Sequence, residues 1–165
     1  ADSGFNFALT SSLGVDGLNA GLGHGEEENS PTDNNNSDRS AKSRNTQFQT
    51  VFVTYAMGGA TIGAQKSSSS SEVTDAAESE VEIAGISFSV NENLAVSYSQ
   101  MDREVALSPA TGIGGTDVTE KTKGLGASYT MGSAAVRVLM SDGDNIGGVT
   151  GVDNEHMEVS LLLAF

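Results

Sequence analysis

Residues 156–165 read HMEVSLLLAF, and apolar side chains occupy every second position of this segment. The apolar row consists of Met157, Val159, Leu161, Leu163 and Phe165. Because successive side chains of a strand point to opposite faces, this period of two predicts a β-strand. The unbroken apolar row suits a strand that faces a greasy medium on one side and water or packed side chains on the other.

The composition favours many short strands. Of the 165 residues, 37% are hydrophobic and 18% are charged, and no stretch approaches the roughly 20 apolar residues of a transmembrane helix. Twenty Gly, abundant Ser and Thr and only two Pro suit a barrel whose strands place small polar side chains inward. The net charge of −14 argues against nucleic acid as a partner, because phosphates would be repelled. A basic signal peptide is missing, so we expect a processed chain or a fragment.

Apolar alternation recurs along the chain and predicts nine strands. They span residues 4–12, 15–25, 44–57, 60–66, 79–90, 94–104, 120–131, 134–141 and 154–165. Short turns alternate with long polar loops at about 26–43, 67–78, 105–119 and 142–153. This one-sided loop pattern is typical of a transmembrane antiparallel β-barrel with periplasmic turns and extracellular loops. We therefore expect residues 1–165 to form a single all-β barrel domain.

Side-chain parity predicts which residues point into the barrel. In residues 134–141, Val136 and Val138 would face lipid and Arg137 the lumen, since a cation on the lipid face costs ~2–4 kcal/mol. The candidate pore-lining residues are Ser97, Ser99, Gly126, Ser128, Arg137 and Glu158.

Two segments depart from simple alternation. Val81 and Ile83 share one parity, whereas Ile86 and Phe88 have the other, which predicts a β-bulge near Gly85. The strand at 44–57 carries apolar side chains on both faces, so its orientation stays open.

The C-terminal Phe165, preceded by apolar residues at alternate positions, resembles the signal by which Gram-negative outer-membrane proteins are recognised for insertion. The candidate assembly residues are Phe165, Leu163, Leu161 and Val159. This resemblance implies a location in the bacterial outer membrane, with outer-membrane lipid, lipopolysaccharide and the barrel-assembly machinery as partners.

The segment KGLGASYTMGSAAVRVLMSDGDN, followed by a loop and EHMEVSLLLAF, resembles the last three strands of general diffusion porins of the alphaproteobacterial type. The close match covers about 40 residues, within 123–165. Such porins are trimers of water-filled barrels of about 16 strands. The resemblance implies that this chain supplies about nine strands as the C-terminal part of a larger porin, with the N-terminal strands and their constriction loop missing. It also implies a homotrimer.

The sequence offers only weak candidates for a metal site or a catalytic site. Asp142, Asp144 and Asp153 have a spacing that only partly follows a calcium loop, because Ile146 occupies a ligand position. We expect a solvated acidic loop and no resident cofactor or structural metal; at most, calcium binds at the surface. His24 and His156 lie on separate hairpins, and no nucleophile motif is present, so we expect no enzyme.

Three functions fit the pattern. The first is an outer-membrane porin for passive diffusion of small hydrophilic solutes and ions. The second is a small closed outer-membrane barrel with a structural or surface-binding role, as an adhesin or receptor. The third is a soluble β-sandwich. The inward-facing Gly and Ser residues are too small to plug a narrow barrel, which favours the channel.

Overall fold

A computed structural model of the protein describes residues 3–29, 44–71, 78–105 and 118–164. These ranges contain strands of 9 to 14 residues, which are joined by turns and by one 3₁₀ turn at Ile146–Gly148. The strands are β1 (Ser3–Ser11), β2 (Leu18–Asn29), β3 (Arg44–Met57), β4 (Ala60–Ser71), β5 (Ser79–Ser89), β6 (Leu94–Val105), β7 (Val118–Met131), β8 (Ala134–Asp144) and β9 (Asn154–Leu163). No helix within the described ranges has the length and apolar character needed to cross a membrane.

The strands form one antiparallel sheet in which each pairs with its neighbours in sequence, in the order β1 to β9. Short turns join the strands at one end of the sheet, and long connections join them at the other, as the sequence pattern predicts. The sheet is open, because within the described residues β1 pairs only with β2 and β9 only with β8. The all-β antiparallel fold class is confirmed.

The short turns have backbone conformations that their residues favour. Gly58 and Gly132 have φ angles of 59° and 58°, a left-handed region that glycine enters without a steric penalty. Between β5 and β6, the Asn91 side chain accepts hydrogen bonds from the backbone N–H groups of Asn93 and Leu94, each at 2.9 Å. These local interactions help to set the register of the hairpins.

The register places apolar side chains in a band across one face of the sheet, and we call this band the apolar belt. A single row of directly paired residues crosses β2 to β9, and every member is apolar: Leu18, Tyr55, Ile62, Ile86, Tyr98, Leu125, Met140 and Met157. The next row toward the short turns crosses β3 to β9 and consists of Met57, Ala60, Phe88, Val96, Ala127, Val138 and Val159. The belt is therefore continuous from β2 to β9.

The apolar belt is exposed. Leu125 is 56% exposed, Met157 65% and Leu161 64%, and no hydrophobic side chain in the described ranges is buried. A soluble domain buries such a surface, because apolar area removed from water stabilises a fold by about 25 cal/mol per Å². This sheet has no core of its own, so the surrounding medium must cover the belt.

A charged border follows the belt on the same face, toward the long connections. One paired row of the border consists of Lys66, Glu82, Asp102, Lys121 and Asp144. Lys66 Nζ lies 2.5 Å from Glu80 Oε1 and 2.9 Å from Glu82 Oε1. On β4 to β8 the apolar surface therefore ends at this row, as it does where a membrane-spanning strand leaves the hydrocarbon, whereas on β1 to β3 the same row is still apolar, at Leu9, Leu22 and Val51.

The predicted bulge near Gly85 is wrong. Strand β5 pairs residue for residue with β4 and with β6, and Gly85 lies opposite Gly63 and Ser99. Val81 and Ile83 lie on the polar face, whereas Ile86 and Phe88 lie in the apolar belt. The change of parity therefore reflects apolar side chains on both faces of a regular strand.

Several strands are longer than the sequence pattern predicts. Strand β4 continues to Ser71, and β2 and β8 continue to Asn29 and Asp144, into segments predicted as loops. The backbone ladder extends past the belt, where the side chains become polar and apolar alternation stops. Strand β2 also begins at Leu18 rather than at residue 15, because residues 12–17 form the turn.

Candidate functional site

The candidate site is the face of the sheet opposite the apolar belt, which we call the polar face. The register brings the predicted pore-lining residues together there in neighbouring rows. Ser97 lies opposite Gly126, Ser128 opposite Arg137, and Leu139 opposite Glu158. Ser99 lies opposite Gly124 in the adjacent row.

Small side chains keep this part of the polar face thin. A Cβ atom on Gly126 would lie 2.6 Å from Ser97 Oγ, and one on Gly124 would lie 3.2 Å from Ser99 Oγ. The serine hydroxyls therefore occupy the space beside the glycines, and larger residues on β7 would have to displace them. Between β6 and β7 the wall therefore presents hydroxyls and backbone rather than bulky groups.

Charged side chains on the part of the polar face nearer the short turns are exposed. Arg137 is exposed and forms no ion pair with any residue in the described ranges. Glu158 accepts a hydrogen bond from Ser160 Oγ at 2.7 Å, and its Oε2 lies 4.0 Å from His156 Nε2. Both charged groups are open to solvent on this face.

Glu120 is the exception, since it is only 7% exposed and is the buried charged side chain of the described ranges. It lies on the polar face directly opposite Arg103, and the two side chains form an ion pair. Its Oε2 also accepts a hydrogen bond from the backbone N–H of Gly147 at 3.0 Å. Sequence reasoning missed this group, because an acid on β7 gains meaning only when the register places an arginine opposite it.

Comparisons with known proteins agree with this geometry. A family model described as "Gram-negative porin" matches residues 2–163, nearly the whole chain. The chain belongs to the Gram-negative porin family. It lies in the bacterial outer membrane, and the apolar belt faces the lipid.

Solved structures show the same fold. The chain resembles outer-membrane expressed OmpT of Vibrio cholerae with a TM-score of 0.65 and 14% identity, covering 98% of this chain and 56% of OmpT. It resembles a loop L8 deletion mutant of OmpT with a TM-score of 0.64 and 16% identity, covering 98% of this chain and 53% of the mutant. The chain thus spans about half the length of these structures. No curated protein sequence matches it.

The three aspartates considered for calcium do not form one site in this porin. Asp142 and Asp144 alternate along β8 and lie in the charged border, whereas Asp153 accepts a hydrogen bond from the Asn145 N–H at 3.4 Å. No group of three His, Cys, Asp or Glu side chains in the described ranges is placed to hold a metal ion. Calcium at the surface stays a prediction.

The candidate assembly residues lie at the end of the apolar belt. Val159, Leu161 and Leu163 are 62%, 64% and 55% exposed on β9, which is an edge strand of the sheet. Phe165 lies outside the described residues. The role of this row in assembly stays a prediction.

Proposed function

We propose that this porin forms part of the wall of a water-filled channel, through which small hydrophilic solutes and ions diffuse passively. The observation that carries the proposal is the contrast between the two faces of one sheet. Lipid covers the apolar belt, while the polar face carries Gly, Ser and exposed charges that favour contact with water.

The main alternative is a small closed barrel with a structural or surface-binding role. Strands β1 and β9 run in the same direction, because the antiparallel sheet has an odd number of strands. They therefore cannot complete an antiparallel ladder with each other, and bacterial single-chain barrels have even strand numbers. This supports a larger barrel in which further strands, such as the expected N-terminal ones, lie between β9 and β1.

The finer features of the proposal follow the resemblance to general diffusion porins. A barrel of about 16 strands, a homotrimer, and contacts with lipopolysaccharide and the barrel-assembly machinery stay predictions, as do the single domain and the absence of enzymatic activity.

A cysteine-accessibility experiment tests the channel. Ser97 and Val96 are neighbours on β6, and they lie on the polar face and in the apolar belt respectively. Residues 1–165 contain no native cysteine, so Ser97→Cys and Val96→Cys each give this chain one thiol. We expect a charged, water-soluble methanethiosulfonate to modify Ser97→Cys and to change the ion current of the full-length protein in a planar bilayer.

The matched variant Val96→Cys is expected to resist the reagent, because its thiol lies in hydrocarbon. Equal modification of both thiols, or a protein that inserts and carries no current, contradicts the proposal.

A further inference from the structure

The loop between β8 and β9, residues 145–153, bends toward the polar face. Ile146 Cδ1 lies 2.6 Å from the position that a Cβ atom on Gly143 would occupy, and Gly143 is a buried residue of the polar face. Gly147 and Gly148 follow with φ angles of 71° and 73°. These left-handed conformations turn the chain sharply, and they need glycine because a Cβ atom would be strained there.

Hydrogen bonds within the loop, and one to β7, hold the loop in one shape. Asn145 Nδ2 donates to the Thr119 carbonyl at 3.2 Å, and Asn145 Oδ1 accepts from the Gly151 N–H at 2.9 Å. The Ile146 N–H donates to the Val152 carbonyl at 2.7 Å. The side-chain amide of Asn145 therefore joins the far end of the loop, at Gly151, to the first residues of β7.

One side chain of the wall also holds the loop over the polar face. Glu120 receives the Gly147 N–H, and its charge is compensated by Arg103 on the neighbouring strand. A hydrogen bond to an ionised acceptor is stronger than one between neutral groups. Loss of the carboxylate would leave both the Gly147 N–H and the Arg103 guanidinium without this acceptor.

We infer that Glu120 is a positioning residue that clamps the β8–β9 loop across the polar face and so narrows the channel at the end with the long connections. This inference rests on the proposed function. Arg103 has a second role, since it cancels the charge of Glu120 at the narrowed level. The clamp therefore narrows the channel without adding net negative charge at that level.

The mobility of the loop tests the clamp without any transport measurement. A nitroxide attached to Val149→Cys, a loop position that is 55% exposed, reports local motion by electron paramagnetic resonance in lipid vesicles. We expect the Glu120→Ala change to raise the mobility of this label in the full-length protein. Glu120→Gln should raise it less, because the amide oxygen can still accept the Gly147 N–H.

Glu104→Gln is the matched control, since Glu104 is an exposed carboxylate next to Arg103 on the opposite face of β6. It should leave the label immobile. Heat-modifiable gel mobility identifies the folded barrels, and Glu120→Gln serves where Glu120→Ala does not fold. An unchanged label in both folded Glu120 variants overturns the clamp.

Single-channel recording tests the narrowing. The Glu120→Ala protein should show a higher mean conductance and more current fluctuations than the unaltered protein, and Glu104→Gln should show neither. A mobile loop with an unchanged current overturns the narrowing. If the unaltered protein carries no current, the proposed channel fails, while the label still decides whether Glu120 clamps the loop.

Discussion

Val138 and Leu139 are neighbours in β8 with opposite surroundings. Val138 lies in the apolar belt between Ala127 and Val159, whereas Leu139 lies on the polar face next to Glu158. We predict that Val138→Lys destabilises the barrel by ~2–4 kcal/mol, because an ammonium group enters hydrocarbon. Leu139→Lys should cost far less, since its ammonium faces water and a carboxylate. Urea unfolding of the full-length variants in lipid vesicles measures both. Greater damage from Leu139→Lys would mean that the strand is displaced by one residue or that the polar face is not wet.

At the scale of single residues, parity alone places Arg137 on the face shared with Ser128. To predict which side chains of neighbouring strands contact each other, the pairing register must be known as well. Phe52 shows this, because its ring occupies the space that a Cβ atom on Gly21 would need, on the polar face. The sequence left the orientation of that strand open, since Phe52 and Val53 are both apolar. The Glu120–Arg103 pair was missed for the same reason.

Apolar alternation in the sequence predicts the strands well where they cross the membrane, but it predicts their ends poorly beyond the membrane. The belt of β4 has the expected alternation, but the strand continues through a run of serines that pair with β3. Backbone hydrogen bonds extend a strand whatever its side chains are, so apolar periodicity marks the depth of the lipid rather than the end of the ladder. The error at Gly85 also came from treating every apolar side chain as lipid-facing.

The end of strand β9 carries the apolar row that we expect to direct assembly. Deleting Phe165, or changing it to Lys, should impair outer-membrane assembly much more than Val149→Lys in the neighbouring loop. In the sequence, Phe165 stands two positions after Leu163 and keeps the alternation of the lipid-facing row, whereas Val149 lies outside the strands. The fraction of protein with heat-modifiable gel mobility measures assembly. Equal fractions for the Phe165 and Val149 variants would contradict a role for the terminal row.

For the whole molecule, charge and architecture act together. The net charge is −14, and many of the described acidic residues lie in the charged border near the long connections. On the polar face, Arg103 is neutralised by Glu120, while Arg137 and Glu158 are both exposed. The described wall is therefore nearly balanced, and the acidic excess lies toward one mouth.

This distribution predicts a channel that is mildly selective for cations. Negative potential at a mouth raises the local cation concentration, and a lumenal arginine only reduces that bias. The reversal potential of the full-length protein in a KCl gradient measures the preference. Arg137→Gln should shift the reversal potential toward stronger cation selectivity, and Glu158→Gln should shift it the opposite way, because the two exposed charges have opposite signs on one wall. A clear anion preference of the unaltered protein would show that the acidic border does not set the potential at the mouth. Identical potentials for the two variants would show that Arg137 and Glu158 do not face the ion path.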